Sequence, residues 1–194
     1  MSILIVGLIL FLGTHSINMI RPTLRDTIIR RIGFNGWQGL YSLVALAGLI
    51  MIGTGYSDVR DSTNTLLIYE SPVWMRHFSL LLLLPIFPLL FATYLPGRIQ
   101  TAVQHPTLMA VKIWALAHLL ANGTLADVLL FGGFLIWAVA DRISIKRRTT
   151  VAPISGAPAG RWNDVIAISG GLLIYIVFLF GLHTWLIGIS PLGR

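Results

Sequence analysis

The 194-residue chain has no cysteine. That excludes disulfides, thiolate-ligated haem, cysteine-held iron–sulfur clusters and thiol nucleophiles, and leaves soft-metal chemistry to histidine and methionine. Charge is also scarce. Only 11% of residues are Asp, Glu, Lys or Arg against 56% apolar, and the mean hydropathy is +0.82. A soluble domain carries about 25% charged residues, so the composition is that of an integral membrane protein with the lipid bilayer as its surroundings. Carboxylates number seven, and Asp127, Asp141 and Asp164 all fall near the ends of apolar stretches, so acid–base chemistry by a carboxylate pair inside the membrane is not expected. GxSxG, HExxH, Walker and GxGxxG arrangements are absent as well. The net charge of +7 does not point to nucleic acid, because the basic residues lie between apolar runs and no soluble segment is long enough to present them. No Lys or Arg precedes the first apolar run and no small-residue cleavage site comes after it, so that run is expected to be retained.

What is present is a succession of apolar stretches. At about 20 residues per span, the pattern predicts an all-α polytopic bundle, one domain over 1–194, with spans at 2–20, 37–56, 74–95, 106–122, 125–141 and 164–189. The fourth and fifth, joined by Gly123-Thr124, are expected to form a tight helical hairpin. Pro85 and Pro88 are expected to bend the third, and Gly132-Gly133 and Gly170-Gly171 suit close helix contact. Arg21, Arg25, Arg30 and Arg31 sit in the first connection and Arg142, Lys146, Arg147, Arg148 and Arg161 in the last, whereas the 57–73 connection holds only Arg60 against Asp58, Asp61 and Glu70. The positive-inside rule then puts connections one, three and five in the cytoplasm and both termini outside, in the periplasm. The Ala-, Pro- and Gly-rich stretch 151–160 reads as a flexible cytoplasmic loop.

Four of the five histidines, His15, His77, His118 and His183, lie inside these spans, and His105 sits at the mouth of one. A neutral imidazole in hydrocarbon needs a partner at each ring nitrogen, so each is a candidate proton, metal or ligand site. His15 is either a ligand or a side chain bonded to a neighbouring helix. His118 has Trp114 and Asn122 one turn away on its own face and allows the same two readings. His105 precedes Pro106 at a helix start. It is thirteen residues from His118, about 220° around a helix, so the two cannot share a face. His77 and His183 fall near span ends, where interfacial hydrogen bonding is the default, and Trp74, Trp185 and Tyr175 fit interfacial belts or packing. A bis-histidine haem needs two facing imidazoles, an apolar pocket and cations for the propionates, for which Arg21, Arg25, Arg98 and Lys112 are the candidates. Depth alone does not select the pair.

The run Leu4–Leu8, Phe11 to Ser16, Gly36-Trp37-Gln38-Gly39-Leu40-Tyr41-Ser42-Leu43, His105-Pro106 and Trp114 to Gly123 together resemble the NnrU family over nearly the whole chain. The resemblance implies a bacterial inner-membrane protein connected with denitrification and nitric oxide metabolism. The same domain occurs in 15-cis-zeta-carotene isomerase, a haem b enzyme, and its ligand motifs are similar to His15-Ser16 and Ala117-His118 here. That resemblance implies haem b on His15 and His118, with nitric oxide or a lipophilic polyene as small-molecule partner; Arg21, Arg98 and Lys112 stay the cation candidates that the charge pattern offers. Gln104 stands where the isomerase motif has arginine, so the resemblance extends to the two ligand positions and not to a shared substrate. Two other functions stay open. One is a non-enzymatic assembly factor for a nitric oxide reductase, with a membrane-protein partner. The other is a membrane methyltransferase using S-adenosylmethionine at His105-Pro106, although the acidic and arginine partners for that chemistry are not evident.

Overall fold

The computed structural model describes residues 1–62, 65–148 and 156–193. The elements in chain order are α1 (Ser2–His15), α2 (Ile17–Ile20), α3 (Pro22–Arg60), α4 (Val73–Leu83), α5 (Ile86–Tyr94), α6 (Arg98–Val103), α7 (Pro106–Ala121), α8 (Leu125–Arg147), α9 (Asn163–Val177), a π-helical turn Phe178–Leu182 and α10 (His183–Ile187). Among the described residues there is no strand, only an isolated antiparallel bridge between Leu67 and Thr124.

Each of the six expected stretches holds helix, and four helical segments are long and apolar enough to cross a membrane: Thr23–Arg60, Val73–Tyr94, Leu125–Arg147 and Asn163–Ile187. The apolar helices α1 and α7 are shorter, at 14 and 16 residues. They run about 21 and 24 Å against about 30 Å of hydrocarbon. α1 stops early because Thr14 Oγ1, His15 Nδ1 and Ser16 Oγ bond the carbonyls of Leu10, Phe11 and Leu12, back-bonding that bends a helix. The chain leaves it through Ser16 into α2.

The first connection is not a loop. α3 starts at Pro22 and carries Arg25, Arg30 and Arg31 on helix, broken only at Gly33, whose φ of 78° and ψ of 167° are open to glycine and little else. The expected bend of the third span is present between α4 and α5. Pro85 falls at the break, and Pro88 falls in the first turn of α5, where the missing N–H loses no helical bond. The tight turn expected at Gly123-Thr124 links α7 to α8. Asn122 and Thr124 are extended, and the link is pinned to residues 66–69 through Ile68 N–H to Gly123 O at 2.8 Å and Leu125 N–H to Leu66 O at 2.8 Å. Of the stretch read as a flexible loop, 151–155 lies outside the described residues. Ala157 N–H donates to Tyr94 O at 2.8 Å, and Asn163 Nδ2 donates to Pro158 O at 3.0 Å, so its second half is tied down.

The chain divides into two compact units. The first, Met1–Tyr69 with Gly123–Arg148, contains α1, α2, α3 and α8. Here α1 runs antiparallel along α3, backbone on backbone: Gly7 faces Ile52, Gly48 faces Phe11 and Gly55 faces Leu4. Without a hydrophobic drive between helices in lipid, small residues that permit such approach gain packing and weak hydrogen bonds instead. α8 enters under a capping box, Thr124 and Asp127 bonding each other's backbone. The buried Asp127 carboxylate also accepts from Tyr56 Oη on α3 at 2.6 Å.

The second unit, Glu70–Asn122 with Thr149–Arg194, sets α7 against α4 and α5, and α9 against α5. Ile86, Leu89 and Ala110 form its core with Ile113 and Trp114 against it. Gly171 lies on the backbone of Pro88 and Gly170 on the Phe91 ring, the close contact expected of that pair, whereas Gly132 has open space around it. Tyr175 packs as expected, donating to Leu80 O at 2.8 Å. Both units turn large apolar side chains outward, such as Ile136 at 72% exposure in the first and Leu173 at 61% in the second, the inverse of a soluble protein and a surface suited to lipid.

In the 61–72 connection, burial pushes the Tyr69 phenol above its usual value and the Asp127 carboxylate adds to the shift. A raised folded-state pKa means that this share of stability is full below the unfolded phenol pKa and is lost as pH rises through the folded one. Tyr69→Phe is therefore expected to lessen the alkaline drop in melting temperature above about pH 10. Melting curves across that range check it, and identical slopes for the two proteins count against it.

Candidate functional site

His15 closes the last turn of α1. Its Nδ1 lies 2.7 Å from the carbonyl of Phe11. A carbonyl only accepts, so Nδ1 carries the proton and Nε2 is the ring nitrogen on which a metal could be held. Three aromatic rings surround it: Phe11 at 4.3 Å between centroids, Tyr41 at 5.4 Å and Trp137 at 6.0 Å, the last two edge-on. Phe134 stacks behind Phe11 and the buried Trp37 behind Tyr41. They come from α1, α3 and α8, so the first unit's packing builds the site. Trp137 Nε1 is buried with no hydrogen-bond partner. An orphaned N–H of this kind costs about 1–3 kcal/mol and points to an acceptor that completes the site.

His118 repeats the local geometry in the second unit. Its Nδ1 lies 2.8 Å from Trp114 O, so Nδ1–H is again the donor, and the Trp114 ring lies 5.2 Å from the imidazole. Asn122 Nδ2 donates to the His118 carbonyl at 3.0 Å, a side-chain bond on the backbone at the helix end. Ligating histidines usually donate their other N–H to a carbonyl or carboxylate, which fixes ring and tautomer. Both histidines meet that condition within their own helix.

The remaining candidates are dispersed over both units. Arg21 is exposed between α2 and α3. Lys112 is half-buried in the second turn of α7, about 120° around the helix from His118. Arg98 is exposed at the start of α6, beside Arg161. His105 caps α7 and comes after Gln104, a non-glycine residue at φ 65°, bridged by His105 N–H to Val103 O at 2.8 Å. That is a strained γ-turn, a feature hydropathy cannot signal. His77 is exposed, and His183 donates from Nδ1 to Ile189 O at 2.7 Å just beyond the π-helical turn. No group of three or more His, Asp or Glu side chains suited to a metal ion occurs among the described residues. A two-histidine axial site asks less, because a porphyrin brings its own equatorial donors.

Sequence reasoning misses Tyr41 and Trp137 as neighbours of His15 and the Tyr56–Asp127 bond. Phe11 is legible, four residues before His15 on one helical face, and Thr124 to Asp127 has the spacing of a capping box. No curated protein and no solved structure matches this chain. The NnrU protein family matches residues 3–191, nearly the whole length, and the chain belongs to that family.

Proposed function

We propose that this protein is a multi-pass bacterial plasma-membrane protein, with six membrane segments and outward termini, that binds haem b through His15 and His118. The observation that carries the proposal is the shared tautomer: each Nδ1–H is held by an i−4 carbonyl, which leaves Nε2 as the nitrogen able to bind iron. Haem would supply an iron centre for redox chemistry and for binding nitric oxide or the double-bond system of a lipophilic polyene. Around His15, Phe11, Tyr41 and Trp137 provide an apolar, water-excluding wall, and the orphaned Trp137 N–H provides a donor for a polar edge of the cofactor or its ligand. Arg21 and Lys112 are the cations we assign to the propionates; Arg98 lines a groove at the start of α6.

The activity that fits this site is handling of nitric oxide, in a denitrification setting, or redox-gated cis–trans isomerisation of a lipophilic polyene, with His15 and His118 as the residues that would hold the haem. The test is to express the protein with haem supplied, purify it in mild detergent, and record oxidised and dithionite-reduced absorption spectra beside His15→Ala and His118→Ala. A six-coordinate b-type spectrum in the wild type, lost in both variants, is the expected result. A folded but colourless wild type overturns it, leaves the histidines structural, and favours an assembly factor that co-purifies with another membrane complex.

A further inference from the structure

At one end of the second unit a groove of about 710 Å³, open to solvent, is lined by Pro96, Arg98, Gln100, Thr101, Gly160 and Arg161. It lies just beyond Tyr94, where the segment Val73–Tyr94 ends, and just before Asn163, where Asn163–Ile187 begins. Both segments are long and apolar enough to cross a bilayer, so whichever way the chain is inserted the groove lies at head-group level.

Its walls are held firmly. The Asp164 carboxylate accepts from the backbone N–H of Arg98 at 2.9 Å and of Ile99 at 3.1 Å, and Asn163 Nδ2 donates to Pro96 O at 2.8 Å. Those bonds occupy both oxygens of Asp164 and leave it as part of the wall. The ion pairs found among the described residues are Arg25–Asp26, Arg60–Asp61 and Arg148–Asp141, so neither Arg98 nor Arg161 is neutralised by them. Gln100 Nε2 is taken by Thr93 O at 3.0 Å and Thr101 Oγ1 by Gly97 O at 2.9 Å. The donors left to a ligand are the two guanidiniums. Arg161 lies over the exposed Trp162 ring at 5.1 Å, a cation–π contact that orients it, on a residue type favoured at the membrane interface.

Two guanidiniums that none of those ion pairs neutralises, one of them oriented by Trp162, match an anion with several acceptor oxygens. At head-group level the abundant anion of that kind is a phosphodiester. We propose that this groove binds a phosphate group, with the head group of an anionic phospholipid as its source in the membrane. The role uses no residue of the haem site and stands apart from that reading.

Native mass spectrometry of the full-length protein in mild detergent, offered phosphatidylglycerol, phosphatidylcholine, diacylglycerol or inorganic phosphate, tests it. The wild type is expected to retain phosphatidylglycerol over the other two lipids. Arg98→Gln/Arg161→Gln should lower retention by about tenfold or more, as loss of charge-assisted bonds requires, while Arg142→Gln leaves it unchanged. Retention that survives added inorganic phosphate assigns the lipid as source; displacement by phosphate assigns a soluble phosphate compound to the same two arginines. Equal retention by the double variant and the wild type overturns the proposal. Should the double variant fail to fold, Arg98→Lys/Arg161→Lys keeps the charge and loses the bidentate fork. Unchanged retention in that pair also overturns it.

Discussion

Gly48→Leu and Gly55→Leu should each leave little folded protein, while Gly53→Leu on the same helix is tolerated. A Cβ at position 48 would lie 2.8 Å from Phe11 N and 3.1 Å from Gly7 O, and one at 55 would lie 2.9 Å from the backbone carbon of Ile3 and nearer still to Leu4 N. These neighbours are main-chain atoms of α1. They cannot rotate away as the tip of a side chain can, so α1 itself has to move off α3. Overpacking in a well-packed core costs about 1–3 kcal/mol when side chains can adjust. Backbone against backbone puts the cost above about 3 kcal/mol, a large part of a total stability of about 5–15 kcal/mol. Nothing lies within 4 Å of a Cβ at Gly53, and leucine is the better helix former by about 0.8 kcal/mol, so that variant is a matched control. Monodisperse yield in detergent and melting temperature are the readouts. The destabilised variants should melt at least about 6 °C lower if they are recovered at all. A Gly48→Leu protein that melts like the wild type would show that α1 and α3 are not in backbone contact.

The same glycines mark where a reading of the sequence reaches its limit. The pairs Gly132-Gly133 and Gly170-Gly171 stand out along the chain. Gly48 and Gly55 do not, yet they are two helical turns apart and share the face that meets α1. Hydropathy locates helix in all six stretches because apolar runs and helix are tied together in lipid. It leaves 21–36 as a connection between spans because four arginines interrupt the apolar pattern, although Pro22 and Gly33 carry the start and break signals of a helix. At the candidate site the same division holds. His15, His118 and Phe11 are local and within reach of spacing, whereas Tyr41 and Trp137 come to His15 from other helices, and no periodicity within α1 can name them.

Asp127 ties that aromatic cluster together, and Asp127→Ala should cost about 3–5 kcal/mol. Its carboxylate is 4% exposed and accepts from Tyr56 Oη at 2.6 Å, from Thr124 N–H at 2.9 Å and from Thr124 Oγ1 at 2.6 Å. Alanine removes the N3 half of the capping box, which strands the Thr124 amide, and strands the Tyr56 hydroxyl as well, each at about 1–3 kcal/mol. Asp127→Asn keeps an acceptor for Tyr56 but turns a donor toward the Thr124 amide, so it should recover only part of the loss. Tyr56→Phe should be the mildest of the three. Because the tyrosine and the carboxylate share one bond, the double variant Tyr56→Phe/Asp127→Ala should fall short of the sum of the singles by about 1–3 kcal/mol, whereas strict additivity would mean that the bond is not formed. The consequence reaches the site through geometry. Tyr56 and Tyr41 are both on α3, Asp127 and Trp137 are both on α8, and His15 lies between the second members of these pairs. Loosening α3 from α8 at Asp127 therefore loosens the cage around His15, so, on the proposal that His15 holds haem, the Asp127→Ala protein should show weakened or heterogeneous haem spectra even where it still folds, with His118 untouched.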